Sequence, residues 1–229
     1  MENDKETVRS RRIYRITVLL YIAATLVCTV WRWMETKAVW PALVVFLSLA
    51  YLLIMPLLFR IFRLRPGYLM AALLDIFIFM AFTLGTGMRW YDKIDWFDLL
   101  AHGLSGVLFT LFGICVFHLL REDKHQPRAN GALCVGFSFC FANMIAGLWE
   151  IVEYTMFLVT GYDSQHVADT GVGDTMEDMM ICLLGSVVAC VLLAIHLKTS
   201  KKVFLFAPTD EFCRLNQNKK AGEENTDKI

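Results

Sequence analysis

Asp98 and His102 stand four residues apart, Glu150 and Glu153 three apart, and Asp174 and Asp178 four apart. Residues at these spacings share a face of a helix, so each pair offers two polar groups to one neighbour. Carboxylate oxygens joined by one imidazole make a ligand set suited to Zn, Mn, Fe or Mg, with geometry deciding among them. A bound cation would also lower the repulsion that clustered like charges impose. On this reading His102, Glu150, Asp174 and Asp178 are the metal ligands, and Glu153 or Asp98 is the catalytic base. A metal-free alternative stays open, in which several carboxyls are protonated and the cluster moves protons or holds a cationic head group. Some members also have a purely structural reading. Asp95 with Asp98, Asp174 with Glu177, and Thr175 with Asp178 have the spacing of helix caps. Capping does not reach His102, nor Glu150 and Glu153, which lie inside an apolar run beside Trp149.

The elements that must position these groups are long and apolar. A carboxylate in hydrocarbon costs roughly 2.5–3.5 kcal/mol on insertion scales. Yet the acids lie in or against six apolar runs at about 13–33, 39–59, 68–87, 97–120, 132–160 and 175–197. Each run is long enough for the ~20 residues of a membrane-spanning helix. Of the 229 residues, 57% are hydrophobic and 19% charged, against about 45–50% and 25% in soluble domains. A soluble helical bundle would show a polar face along every helix, and these runs do not. The expected fold is therefore all-α and polytopic, with six transmembrane helices.

Lys and Arg residues set the expected orientation. Eighteen fall in one set of segments: Lys5, Arg9, Arg11, Arg12 and Arg15; Arg60, Arg63 and Arg65; Arg121, Lys124 and Arg128; Lys198, Lys201, Lys202, Arg214, Lys219, Lys220 and Lys228. The alternate segments hold four, namely Arg32, Lys37, Arg89 and Lys93. Cytoplasmic connections carry the excess of positive residues, which places both termini in the cytoplasm. Trp31, Trp33, Trp40, Trp90 and Trp96 then line the outer boundary as an interfacial belt. With this topology Asp95, Asp98, His102, Glu150, Glu153, Asp174 and Asp178 share one level in the outer leaflet. Asp75, in the third run, stands apart and reads as an acid paired with a neighbouring polar group.

The remaining composition narrows the function classes. The formal net charge is zero, which points to no nucleic-acid partner. There are seven Cys, without a CxxC, so neither a disulfide framework nor a zinc ribbon is indicated. The domain plan is a cytoplasmic segment 1–12, a six-helix membrane domain 13–200 and a disordered cytoplasmic tail 201–229. Gly103, Ser105, Gly106, Gly113, Gly185 and Ser186 suit close helix packing in lipid. The outer link "GYDSQHVADTGVGDT" has the Gly and Asp content of a folded loop.

The stretches "WYDKIDWFDLLAHGLSG", "WEIVEY" and "GDTMEDMMICLLG" resemble the YjdF-like family of bacterial inner-membrane proteins. More loosely they resemble the VanZ-like families, in which Asp/His, Glu and paired-Asp motifs lie on successive spans. The likeness covers about 90–186 and maps Asp98 and His102, Glu150 and Glu153, and Asp174 and Asp178 onto the three motifs. VanZ-like members keep an Asp-Lys close to the His, whereas Asp92-Lys93 lies further upstream here. The resemblance implies a multi-pass bacterial inner-membrane protein of unestablished activity.

Two functions are expected from this pattern. One is metal-assisted hydrolysis or transfer on a lipid-linked or cell-envelope substrate, at an acidic/His site opening to the outer face. The other is non-catalytic binding or transport of a cation or lipid. Membrane lipids are partners in either. Broken helices in paired halves would favour transport, and the sequence shows no repeat or Pro-interrupted pair.

Overall fold

The computed structural model describes residues 2–121, 130–165, 167–199 and 203–217. In chain order they form α1 (Glu2–Thr36), α2 (Val39–Leu47), a 3-10 segment (Ser48–Leu53), α3 (Ile54–Ile61), α4 (Tyr68–Ile78), a π-helical segment (Phe79–Gly87) and α5 (Trp90–Lys93). They continue with α6 (Phe97–Leu120), α7 (Gly131–Thr160), α8 (Val167–Thr170), α9 (Gly173–Lys198), a 3-10 turn (Phe204–Phe206) and α10 (Ala207–Asn216). There is no strand among the described residues. Six stretches are long and apolar enough to cross a membrane: Lys5–Thr36, Val39–Ile61, Tyr68–Gly87, Phe97–Leu120, Gly131–Thr160 and Gly173–Lys198. The all-α, six-span expectation holds. Its physical basis is that a backbone in hydrocarbon has no water to bond, so each run must satisfy its own N–H and C=O groups as a helix. Lys124, Arg128, Lys201, Lys202 and the tail from 218 onward, which enter the charge count above, lie outside the described residues.

The expected single block 13–200 divides into two compact units, one built from α1 to α5 with α10 and the other from α6 to α9. In the first unit α4 packs against α1 and α10, and α2 packs against α1. Spans two and three of this unit are not continuous α-helices. Pro56 has no N–H to bond the carbonyl one turn earlier, and the chain just before it tightens into the 3-10 segment Ser48–Leu53. Span three loosens into the π-helical Phe79–Gly87, which ends at Met88 before Arg89 takes up the left-handed conformation (φ 60°). In the second unit α6, α7 and α9 each pack against the other two.

The expected disordered tail 201–229 is corrected for its described part. Phe204–Phe206 form a turn and Ala207–Asn216 form α10. Phe206 and Phe212 are buried, as are the polar Thr209, Glu211 and Asn216. Glu211 Oε2 accepts the Leu69 N–H at 2.9 Å, one of the donors that the first turn of a helix leaves unpaired. Asn216 takes the Arg65 N–H on Oδ1 at 2.9 Å and donates Nδ2 to the Arg65 carbonyl at 3.2 Å. Composition misses this helix because its polar side chains are spent on the 65–69 backbone rather than on solvent.

Candidate functional site

The site begins with a close helix crossing. A methyl group on Gly106 would meet the Cys182 carbonyl oxygen, and one on Gly185 would meet the Gly103 carbonyl oxygen. Only residues without a side chain let α6 and α9 approach so nearly in lipid. Around the contact Ser105 donates to Cys182 Sγ at 3.6 Å, and Asn143 of α7 donates to Ser186 Oγ at 3.0 Å. The expectation that the small residues serve packing holds at these positions.

Toward the starts of the same two helices, that crossing sets His102 beside Asp178. His102 Nε2 lies 3.5 Å from Asp98 Oδ1, one turn back on α6, and 3.7 Å from Asp178 Oδ2 on α9. One donor atom from each of the three lies within 4.8 Å of the others. Tetrahedral ligands at about 2.0–2.1 Å from a zinc ion stand about 3.3 Å apart, so small side-chain adjustments would close the set around a cation. His102 and Asp178 are buried, 8% and 3% exposed, while the Asp98 side chain keeps 32% of its surface open. The group thus has two buried members and one facing outward.

Of the expected ligands, His102 and Asp178 belong to this trio, and Asp98, expected as a base, joins them. Glu150 and Asp174 do not. Glu150 is buried on α7 and bonded instead by Gln165, whose Nε2 donates to its Oε2 at 3.0 Å and to its carbonyl at 3.1 Å. Glu150 and Glu153 come from α7, which packs against both α6 and α9, and Asp174 stands one turn before Asp178 on α9. Asp95 is exposed, and Arg89 pairs with Asp92 at 2.8 Å.

Gln165 is the residue that sequence reasoning missed. It is 5% exposed and ties the 161–172 connection to α7. Asp163 folds the same connection by accepting the Val167 and Ala168 N–H groups at 3.0 Å each. The folded loop expected there is present in its described residues. A Gln in a Gly- and Asp-rich link carries no signal of burial, so only the tertiary contact identifies it.

Chemically, the trio offers two carboxylates and one imidazole, and the same three packed helices carry Glu150, Glu153 and Asp174 as further acids. Such a group can hold a divalent cation or share protons. A search of solved structures finds no match to this chain. An uncharacterised protein of Thermotoga maritima is 27% identical over 110 residues, covering 47% of this chain and 53% of that protein. The chain thus aligns with about half the length of that relative. The family model described as "Predicted membrane protein (DUF2238)" matches residues 14–199. That match runs from within α1 to just past α9 and contains Asp98, His102, Glu150, Glu153, Asp174 and Asp178, so the chain belongs to the DUF2238 family of membrane proteins.

Proposed function

We propose that this multi-pass membrane protein binds a divalent cation between α6, α7 and α9 and uses it for hydrolysis or transfer on a lipid-linked or cell-envelope substrate. The observation that carries the reading is the Asp98–His102–Asp178 group, with donor atoms within 4.8 Å of one another. Burying Asp178 beside His102, with Asp98 one turn away, is costly unless something compensates the charge, and imidazole is the commonest side-chain metal ligand. Three protein ligands would leave a coordination position free, as catalytic metal sites do. Glu153 is the candidate base, and Glu150, held by Gln165, is a further acid contributed by the third helix. The eighteen-to-four distribution of Lys and Arg supports cytoplasmic termini, which turns the starts of α6 and α9 to the outer face and gives the site its envelope substrate class. The likeness of 90–186 to YjdF-like proteins supports a bacterial inner membrane. The looser VanZ-like likeness supports envelope chemistry by analogy alone.

A second reading, cation binding or transport without catalysis, draws on the same trio, because two carboxylates and one imidazole can hold a cation without acting on a substrate.

Thermal unfolding of the purified protein in detergent tests the metal. A ligand that binds only the folded state raises the melting temperature by mass action, about 2.7 kcal/mol at a hundred times its dissociation constant. Added Zn, Mn or Mg should raise it, a chelator should lower it, and His102→Ala or Asp178→Asn should erase the difference. Melting curves indifferent to metal and chelator, with no stoichiometric metal by elemental analysis, would replace the cation with a protonated network. Hydrolysis of envelope lipid precursors that depends on the same metal would separate the catalytic reading from the binding one.

A further inference from the structure

Two polar features of the first unit lie outside the proposed metal site. Asp75 on α4 is 1% exposed, and its Oδ2 has no hydrogen-bond partner among the described residues. The polar neighbour expected from the sequence does not bond that oxygen, and the enclosed carboxyl has no opening to a ligand. The second feature is open. Where α1 and α4 begin, arginine side chains stand exposed: Arg9, Arg11, Arg12 and Arg15 on α1, and Arg63 and Arg65 in the turn before α4. Helix α10 ties the two groups together. Its Arg214 pairs with Glu6 of α1 at 3.3 Å, and its Asn216 holds the Arg65 backbone.

None of these arginines has a carboxylate partner among the described residues. The basic residues toward the other end of α1 are placed differently. Arg32 pairs with Glu35 at 2.7 Å, Lys93 with the same Glu35 at 3.1 Å, and Arg89 with Asp92 at 2.8 Å. Lys37 lies 5.9 Å from the centre of the Trp33 ring. One end of the unit therefore answers its own positive charge, and the other leaves it uncompensated. Clusters of Lys and Arg beside a spanning helix draw anionic lipid head groups.

The basic end also has a shape. A shallow groove on α1 is lined by Tyr14, Arg15, Val18 and Leu19. Arg11, Arg15 and Val18 stand at i, i+4 and i+7, so they share one stripe of the helix. Along that stripe the surface passes from guanidinium to hydrocarbon, and Leu19 beside it is 66% exposed. Tyr14 is half-buried, with its ring centre 6.1 Å from that of Tyr68 on α4. We propose that this groove binds an anionic phospholipid, with the lipid phosphate on Arg15 and Arg11 beside the Tyr14 phenol and an acyl chain along Val18 and Leu19. A guanidinium presents its N–H donors as a fork that matches two phosphate oxygens. Inorganic phosphate would use only the basic half of the groove, and the apolar half selects the lipid. The inference uses neither the trio nor a metal, so it stands apart from the proposed function.

The test uses the full chain in a neutral detergent with EDTA present, which keeps the result independent of the divalent site. Melting of wild type, Arg15→Gln, Arg15→Lys and Arg63→Gln is followed with added phosphatidylglycerol, phosphatidylcholine or inorganic phosphate. Phosphatidylglycerol should raise the wild-type melting temperature on the order of 5 °C at saturation, and the other two additions should leave it in place. Arg15→Gln should need about tenfold more phosphatidylglycerol for half the rise, as the loss of a hydrogen bond to a charged group implies. Arg15→Lys keeps the charge but not the fork, and should fall between. Arg63→Gln removes the same charge outside the groove and, screened at about 0.15 M salt, should shift the requirement less than about threefold. If Arg15→Gln does not fold, Arg15→Lys against Arg63→Gln gives the same contrast. No rise, an equal rise with phosphatidylcholine, or equal losses in the Arg15 and Arg63 variants would overturn the groove. A rise as large with inorganic phosphate alone would overturn the lipid.

Discussion

Replacing Gly185 with Ala tests whether the helix crossing builds the ligand group. The added methyl would run into the Gly103 carbonyl oxygen, with the Gly103 carbonyl carbon 3.1 Å away and its Cα 3.5 Å away. These are backbone atoms, so no side chain can turn aside. Restoring ordinary contact requires α6 and α9 to part by on the order of 1 Å. Overpacking of this kind costs about 1–3 kcal/mol, and each kcal/mol lowers the melting temperature about 2–4 °C in a chain of this size. The same displacement acts on the His102–Asp178 separation, already 3.7 Å, and moves it away from a shared ligand shell. Gly185→Ala should therefore melt several degrees lower without metal and lose most of the metal-induced rise. Gly136→Ala on α7 is the control, because nothing lies within 4 Å of a methyl there. In that open position the better helix former is neutral or stabilising by up to about 1 kcal/mol. Both variants are followed by thermal unfolding in one detergent, with and without Zn. Equal melting of the two, with the metal response of Gly185→Ala intact, would refute the reasoning.

Gln165→Ala leaves the buried Glu150 without its two contacts to the loop, a loss of about 1–3 kcal/mol. Thermal unfolding should register it, and amide exchange over 161–172 should quicken; an unchanged exchange pattern would mean that Gln165 does not hold the loop. Glu211→Ala removes the acceptor of the Leu69 N–H, with a cost of about 1 kcal/mol as for other helix caps, and should speed exchange at the start of α4 while leaving α9 alone. Reporter fusions after Asp163 and after Lys202 should report opposite sides of the membrane, the second cytoplasmic; both on one side would remove the topology and with it the envelope substrate. Asp75→Asn should leave the divalent-metal response of the second unit intact, measured by the same melting assay, and a lost response would mean that the proposed metal site reaches beyond α6, α7 and α9.

What was legible in the sequence is what a single helix decides. The apolar runs 39–59, 68–87, 97–120, 132–160 and 175–197 lie within two residues of the spans Val39–Ile61, Tyr68–Gly87, Phe97–Leu120, Gly131–Thr160 and Gly173–Lys198. Exclusion from water is a property of consecutive side chains, and the helix that follows needs no distant partner. The Asp98–His102 contact was legible for the same reason, since i and i+4 meet on one helix. Span two carried a further sign in Pro56, whose missing N–H accompanies a tightened turn. The π segment of span three left no comparable mark.

The rest depended on contacts between residues far apart in the chain. Asp178 rather than Glu150 or Asp174 meets His102 because Gly106 and Gly185 let two backbones approach at one place, and the register of that crossing is set by packing that no local spacing encodes. Gln165, Glu211 and Asn216 look like surface residues by type, and become buried ones only when a backbone group or carboxylate from another segment takes their hydrogen bonds. Asp75 illustrates the opposite case: its sequence setting suggests a paired acid, and only the packing of α1 against α4 leaves one of its oxygens without a partner. Local hydropathy is a sum over neighbours in the chain, whereas a binding site is a coincidence of side chains in space, and the second follows from the first only after the helices have packed.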